Sequence, residues 1–151
     1  MPVNIEIKAR SADPSFLREW LLLEKAIFKG TDLQTDTYFH VPKGRLKLRQ
    51  GNIENNLIFY QRPDQSGPKQ SDFSITPAND PAGLLAVLSD ALGVWITVQK
   101  KREIYFLENV KFHIDEVNGL GSFIEIEAGD LHADIPVEQL RVQCDHYLKV
   151  F

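Results

Sequence analysis

Several short stretches of this chain space charged side chains two residues apart, the interval at which a β-strand turns them all to one face. Asn4-Ile5-Glu6-Ile7-Lys8 sets Asn4, Glu6 and Lys8 against Ile5 and Ile7, and Arg45-Leu46-Lys47-Leu48-Arg49 repeats the pattern with basic residues. Lys100 and Arg102 share a side, and Asp115, Glu125 and Glu127 add carboxylates further on. In most antiparallel sheets such a face simply meets water. Here strand after strand carries strong, complementary charges, and the opposite faces (Ile5 and Ile7, Leu46 and Leu48, Ile124 and Ile126) are apolar enough to need a cover. If helices supply it from outside, the charged faces turn inward and line a barrel. An interior crowded with lysine and arginine then needs an anion to fill it, because unpaired buried charge is expensive. Arginine grips phosphate oxygens in pairs and lysine supplies point charge, while carboxylates suit hard cations such as Mg²⁺ or Mn²⁺. Metal plus positive clamps around spread negative charge is the equipment of phosphoryl transfer.

The elements that must position these residues can be read from periodicity. Strands are expected at Asn4 to Lys8, Arg45 to Arg49, Leu57 to Arg62, Gln70 to Ile75, Val98 to Leu107, Phe112 to Val117 and Phe123 to Glu127. The Pro/Gly/Ser-rich stretch Pro63 to Ser71 and the turn Asn118-Gly119-Leu120-Gly121 read as hairpin connections. A first helix starts at Asp13-Pro14, with Phe16, Trp20 and Leu23 at helical spacing. A second starts at Asp80-Pro81, with Leu84, Leu85, Leu88, Ala91 and Leu92 as its stripe and Gly93 as its stop; a third begins near Pro136, with Val137, Leu140, Cys144 and Leu148 inward. Strands dominate, so the fold expected is α+β: an antiparallel β-barrel, or tunnel, with a polar interior and helices packed outside.

The bulk numbers fit that picture. At 151 residues, 43% hydrophobic and 25% charged, the chain suits one domain over residues 1–151. Its apolar runs fall far short of the ~20 residues that span a bilayer, so no membrane partner is expected. A formal charge of −4 argues against a general nucleic-acid binder. The single cysteine, Cys144, rules out an internal disulfide and favours a reducing cytoplasm.

The same residues resemble the CYTH superfamily, the triphosphate tunnel metalloenzymes, which includes class IV adenylyl cyclases and thiamine triphosphatases. Asn4 to Lys8 looks like the family's Glu-x-Glu-x-Lys signature, and Gln34-Thr35-Asp36-Thr37-Tyr38-Phe39 like its Gln-x-Asp-x-Tyr-Phe strand. Leu46-Lys47-Leu48-Arg49 corresponds to Leu-Arg-Ile-Arg, and Lys100-Lys101-Arg102 to Lys-x-Arg. His113 to Glu127 is similar to the family's Asp-x-Val-x-x-Leu-Gly-x-Phe-x-Glu-x-Glu block, the most specific of these motifs. The resemblance implies that Glu6, Glu125 and Glu127 hold Mg²⁺ or Mn²⁺. Lys8, Lys47, Arg49, Lys100 and Arg102 would contact a triphosphate, with Arg62 and Lys69 as further basic contributors. Lys8 and Asp115 would be the catalytic residues, Asp115 on the tunnel floor orienting a basic neighbour or a metal-bound water.

The chain departs from the pattern in two places. Asn4 stands where the family usually has its first glutamate, which weakens one metal position. The chain also stops at Phe151, where relatives commonly continue with a Ser-Tyr segment, so either the end is clipped or one tunnel edge is open. Such an edge would be a candidate for pairing with a second copy. Tyr38 and Tyr60 read first as packing residues and second as stacking partners for an organic ring. His113, on the face of Asp115, reads as a hydrogen-bonded structural histidine ahead of a general base. No Walker-type glycine loop is present. The functions in play are a metal-dependent phosphohydrolase acting on inorganic triphosphate, a nucleoside triphosphate or thiamine triphosphate; a class IV-type adenylyl cyclase releasing pyrophosphate from ATP; and a non-catalytic polyphosphate- or nucleotide-binding module.

Overall fold

Side-chain alternation along the strands decides the architecture. The computed structural model describes residues 3–10, 14–61, 69–129 and 135–148. Its elements are β1 (Val3–Arg10), α1 (Ser15–Leu23), β2 (Ile27–Phe39), β3 (Arg45–Gln50), β4 (Asn55–Gln61), β5 (Lys69–Pro77), α2 (Pro81–Leu92), β6 (Val94–Leu107), β7 (Val110–Val117), β8 (Gly121–Gly129) and α3 (Val137–Leu148). The strands close into a barrel in the order β1-β5-β4-β3-β2-β6-β7-β8, each pair antiparallel, with β8 hydrogen-bonded back to β1. The expected α+β barrel with outer helices is the fold.

Closure also corrects one expectation. Every strand has a partner on both sides, so among the described residues there is no open sheet edge to recruit a second copy.

Outside the barrel, Ile5, Phe112, Ile114 and Ile126 from β1, β7 and β8 pack with Leu17 and Leu21 of α1 and with Leu140 and Cys144 of α3. Full burial of a side chain such as Phe112 stabilises the fold by roughly 1.5–3 kcal/mol. Burial, with a smaller push from Asp145, raises the Cys144 thiol to about 11, so it is an inert packing residue. Leu84, Leu85 and Leu88 of α2 cover Phe39 and Leu48 on β2 and β3. The Asp80 carboxylate accepts a hydrogen bond from the Gly83 amide at 3.1 Å, and Gly93 ends the helix with φ 80°. Among the described residues, no helix is long and apolar enough to cross a membrane.

Four local readings change. The inward residues of α1 are Leu17, Trp20 and Leu21, while Phe16 and Leu23 are 59% and 82% exposed. Positions 17, 20 and 21 form the i, i+3, i+4 stripe that meets the barrel. Pro14 caps that helix rather than starting it, and Asp13 lies outside the described residues. Ala91 and Leu92, at the end of the α2 stripe, are exposed. Finally, β6 begins at Val94 rather than Val98, and its pairing with β2 carries register shifts between Phe28 and Gly30 and between Tyr38 and Phe39 that interrupt the period of two.

Candidate functional site

Strand register sets the inner face residue by residue. Asp36 on β2 lies opposite Arg49 on β3, Tyr38 opposite Lys47, and Gln34 opposite Lys100 on β6. Arg102 lies opposite Asp115 on β7, His113 opposite Glu125 on β8, and Glu6 and Lys8 on β1 opposite Glu127 and Glu125. These strands enclose a cavity of about 250 Å³ lined by Glu6, Lys8, Lys47, Arg49, Lys100, Arg102, Glu125 and Glu127 together with Tyr38, Tyr60 and His113. Most of the cations and carboxylates expected to form the site therefore line one cavity.

Three of the expected site residues are absent from the described cavity lining. The side chains of Arg62 and Lys69 lie outside the described residues, although the Lys69 backbone pairs with Glu6. Asp115 is not part of the cavity lining. It is buried behind Arg102, whose guanidinium donates to both of its oxygens at 2.8 Å, and Lys8 reaches it at 3.3 Å. Asp115 thus orients two cations of the wall, which is a positioning role.

The interior supplies much of its own counter-charge, which alters the argument that an external anion must fill it. Asp36, 1% exposed, accepts two bonds from Arg49 at 2.9 and 2.8 Å and stands 3.4 Å from Lys47 and 3.3 Å from Lys100. Burial would raise its carboxyl, but Arg49, Lys47 and Lys100 together hold it far below the usual carboxylate range. Nearby, Asp32 accepts from the Ile53 and Glu54 amides at 2.9 and 3.0 Å and fixes the β3–β4 turn under the cavity. An anion entering the cavity would meet a set of cations pinned from behind by carboxylates, so little reorganisation is needed on binding.

The opposite wall fits a divalent cation. His113, Glu125 and Glu127 each offer a ligand atom within 4.8 Å of the others. Burial, then the Arg102 charge, pushes the His113 imidazole below its ordinary value. Burial would raise the Glu125 carboxyl, yet Lys8, the His113 bond and Arg102 hold it well below the usual range. A neutral imidazole facing an ionised carboxylate at 2.8 Å donates through Nδ1–H, which leaves Nε2 a bare lone pair, buried and without a partner. The bond to Glu125 agrees with the hydrogen-bonded role first read for His113, and the ring also lies with Glu125 and Glu127 in a group close enough to share a cation. Glu6 faces the cavity opposite Glu127, outside that triad.

Asn4 occupies the metal side without supplying charge. Its Nδ2 donates to Glu127 Oε1 at 2.9 Å, so its amide already neutralises a lone pair that a cation would use. Asn4→Glu should therefore lower the melting temperature of the metal-free protein by setting two carboxylates together, and raise Mn²⁺ affinity roughly tenfold by adding a charged oxygen ligand. Mn²⁺ titration followed by electron paramagnetic resonance checks this; unchanged affinity would place Asn4 outside the metal shell.

Sequence reading missed Asp36 as the anchor of the basic cluster, and it missed Lys111, which lines the cavity and pairs with Glu127. Both signals were present: Asp36 stands inside a recognised motif, and Lys111 continues the alternation of His113 and Asp115.

Comparison with known proteins agrees with this geometry. The fold matches the PH1012 protein of Pyrococcus horikoshii with a TM-score of 0.82 at 23% identity, covering 97% of this chain and 88% of that one. A conserved hypothetical protein of Pyrococcus furiosus matches with a TM-score of 0.79 at 25% identity and the same coverage. A candidate adenylate cyclase of Vibrio parahaemolyticus matches with a TM-score of 0.65 at 16% identity, covering 92% and 81%. No curated protein matches the chain significantly. The sequence profile of the CYTH domain matches residues 3–134, and the chain belongs to the CYTH domain family.

Proposed function

We propose that this protein is a divalent-metal-dependent phosphohydrolase acting on a triphosphate-containing small molecule. The observation that carries the reading is the convergence of Lys8, Lys47, Arg49, Lys100 and Arg102 with the His113–Glu125–Glu127 cluster on a single enclosed cavity. Bound at that cluster, Mg²⁺ or Mn²⁺ would supply Lewis acidity to a phosphoryl oxygen. Arg49 and Arg102, held by Asp36 and Asp115, grip the phosphate chain and stabilise the charge that develops as the terminal bridge breaks. Lys8, held by Asp115 and 3.7 Å from Glu125, carries a proton beside the metal-side carboxylates and stabilises the departing oxygen.

Products identify the reaction. Purified protein is incubated with ATP, inorganic triphosphate and thiamine triphosphate, each with Mg²⁺ or Mn²⁺. Orthophosphate release supports hydrolysis. Cyclic AMP with pyrophosphate would replace that reading with an adenylyl cyclase, and tight binding without turnover would replace it with a binding module.

The lysines predict a pH signature. Lys100 is held well below the usual lysine range, first by burial and then by the Arg102 and Arg49 charges. An incoming polyanion favours its charged form, so binding takes up a proton in the window between that lowered value and 10.5. Triphosphate affinity therefore falls as pH rises through the window. The ligand-free fold gains stability over the same range, because there the unfolded chain binds the extra proton. Titration calorimetry in buffers of different ionisation enthalpy should show this uptake, and Lys100→Met should reduce it to the share that Lys47, lowered by burial, supplies. Equal apparent enthalpies in all buffers would mean that Lys100 stays charged throughout.

A further inference from the structure

The cavity is divided. Its charged wall runs over β3, β6, β7, β8 and β1, while the middle of the inner face of β4 and β5, between Asn56 and Ser71, is apolar. Ile58 and Tyr60 on β4 stand opposite Ile75 and Phe73 on β5, and with Tyr38 of β2 they pack into one cluster that lines the cavity. Ile58, Tyr60 and Phe73 are 9%, 9% and 6% exposed, so this surface faces the cavity rather than bulk water.

We propose that the ligand of this tunnel carries a flat apolar organic group seated on the β4–β5 wall, and that a bare inorganic triphosphate or polyphosphate is not its preferred occupant. The proposal rests on the triphosphate reading above and narrows its substrate class. A phosphate chain laid along Ile58, Phe73 and Ile75 would lose hydration with no hydrogen-bond donor in return. An aromatic head group seated on Ile58, Phe73 and Ile75 gains there what it loses in water.

Lys47 fixes the orientation. Its ammonium lies 5.6 Å from the Tyr38 ring centre and 5.4 Å from that of Tyr60, and 3.4 Å from Asp36, at the seam between the two walls. The phosphate nearest the head group meets Lys47, and the rest of the chain extends to Arg49, Lys100 and Arg102. Beyond Tyr38 the aromatic surface continues to Trp95, whose ring is 6.1 Å away and is covered by the Arg45 guanidinium at 4.5 Å.

The test compares ATP with methyl triphosphate, which carries the same phosphate charge without an aromatic group, and with inorganic triphosphate. Each is titrated calorimetrically in Mg²⁺ against the full chain, the Phe73→Leu and Ile75→Thr variants, and Arg102→Lys as a phosphate-side control. Wild type should bind ATP about tenfold or more tighter than methyl triphosphate. Phe73→Leu and Ile75→Thr should shrink that ratio several-fold with methyl triphosphate affinity unchanged, and Arg102→Lys should weaken all ligands together. Equal affinity for ATP and methyl triphosphate, or a uniform loss in the apolar-wall variants, would overturn the proposal and leave these residues as barrel filling. Failure of all three ligands to bind would instead overturn the triphosphate reading beneath it.

Discussion

Asp36→Asn is expected to cost the fold about 3–5 kcal/mol at neutral pH, the range seen when one partner of a buried ion pair is removed. The asparagine is nearly isosteric, so packing is preserved and the loss is electrostatic. Arg49 would keep one acceptor in place of two, and Lys47 and Lys100 would face a neutral group in a confined space. The sign with pH follows from the carboxyl being held below its ordinary 3.8. Its contribution is fully present above that value and is lost as pH falls through the lowered one. Urea unfolding at pH 7 should show the full gap between wild type and variant, and the gap should narrow only in strong acid. A loss below about 1 kcal/mol, the scale of an exposed pair, would mean that water in the cavity already screens the three lysine and arginine charges.

Arg102→Ala should have the largest effect on binding, weakening triphosphate affinity by about two orders of magnitude through loss of a buried, charge-assisted donor. The same change strands Asp115, 1% exposed, without its bidentate partner, so the fold should lose about 3–5 kcal/mol as well. The double variant Arg102→Met, Asp115→Asn separates these effects. Removing both charges should restore most of the stability while affinity stays low. Affinity that recovers together with stability would show that Arg102 supports the barrel and does not touch the ligand.

The barrel was legible where apolar and charged residues alternate strictly, as at Asn4 to Lys8, Arg45 to Arg49 and Phe123 to Glu127. There one face must be covered and the other turned inward, and the register follows. The apolar wall was not legible for the converse reason. Leu57-Ile58-Phe59-Tyr60 is apolar on both faces, so alternation is silent about which residues look into the cavity. Only the pairings of Ile58 with Lys47 and Ile75, fixed by closure of the ring, decide it. Asp36 shows the same limit from the polar side. A carboxylate in a threonine-rich strand says little until cross-strand register sets it opposite Arg49 and a second strand brings Lys100 within reach. The helix starts at Asp80 and Pro136 were visible as caps and proline signals, whereas the inward stripe of α1 depended on the angle at which that helix meets the barrel.

The seam between β1 and β8 has a consequence for how the protein is made. Glu6 and Lys8 stand on the first strand, and Glu125 and Glu127 stand on the last, more than a hundred positions along the chain. Joining them requires the longest loop closure in the molecule, with the largest entropic penalty and the slowest contacts to form. The β1 side of the cavity, with Glu6 and Lys8, is thus expected to close after the local β7–β8 hairpin that carries His113, Glu125 and Glu127.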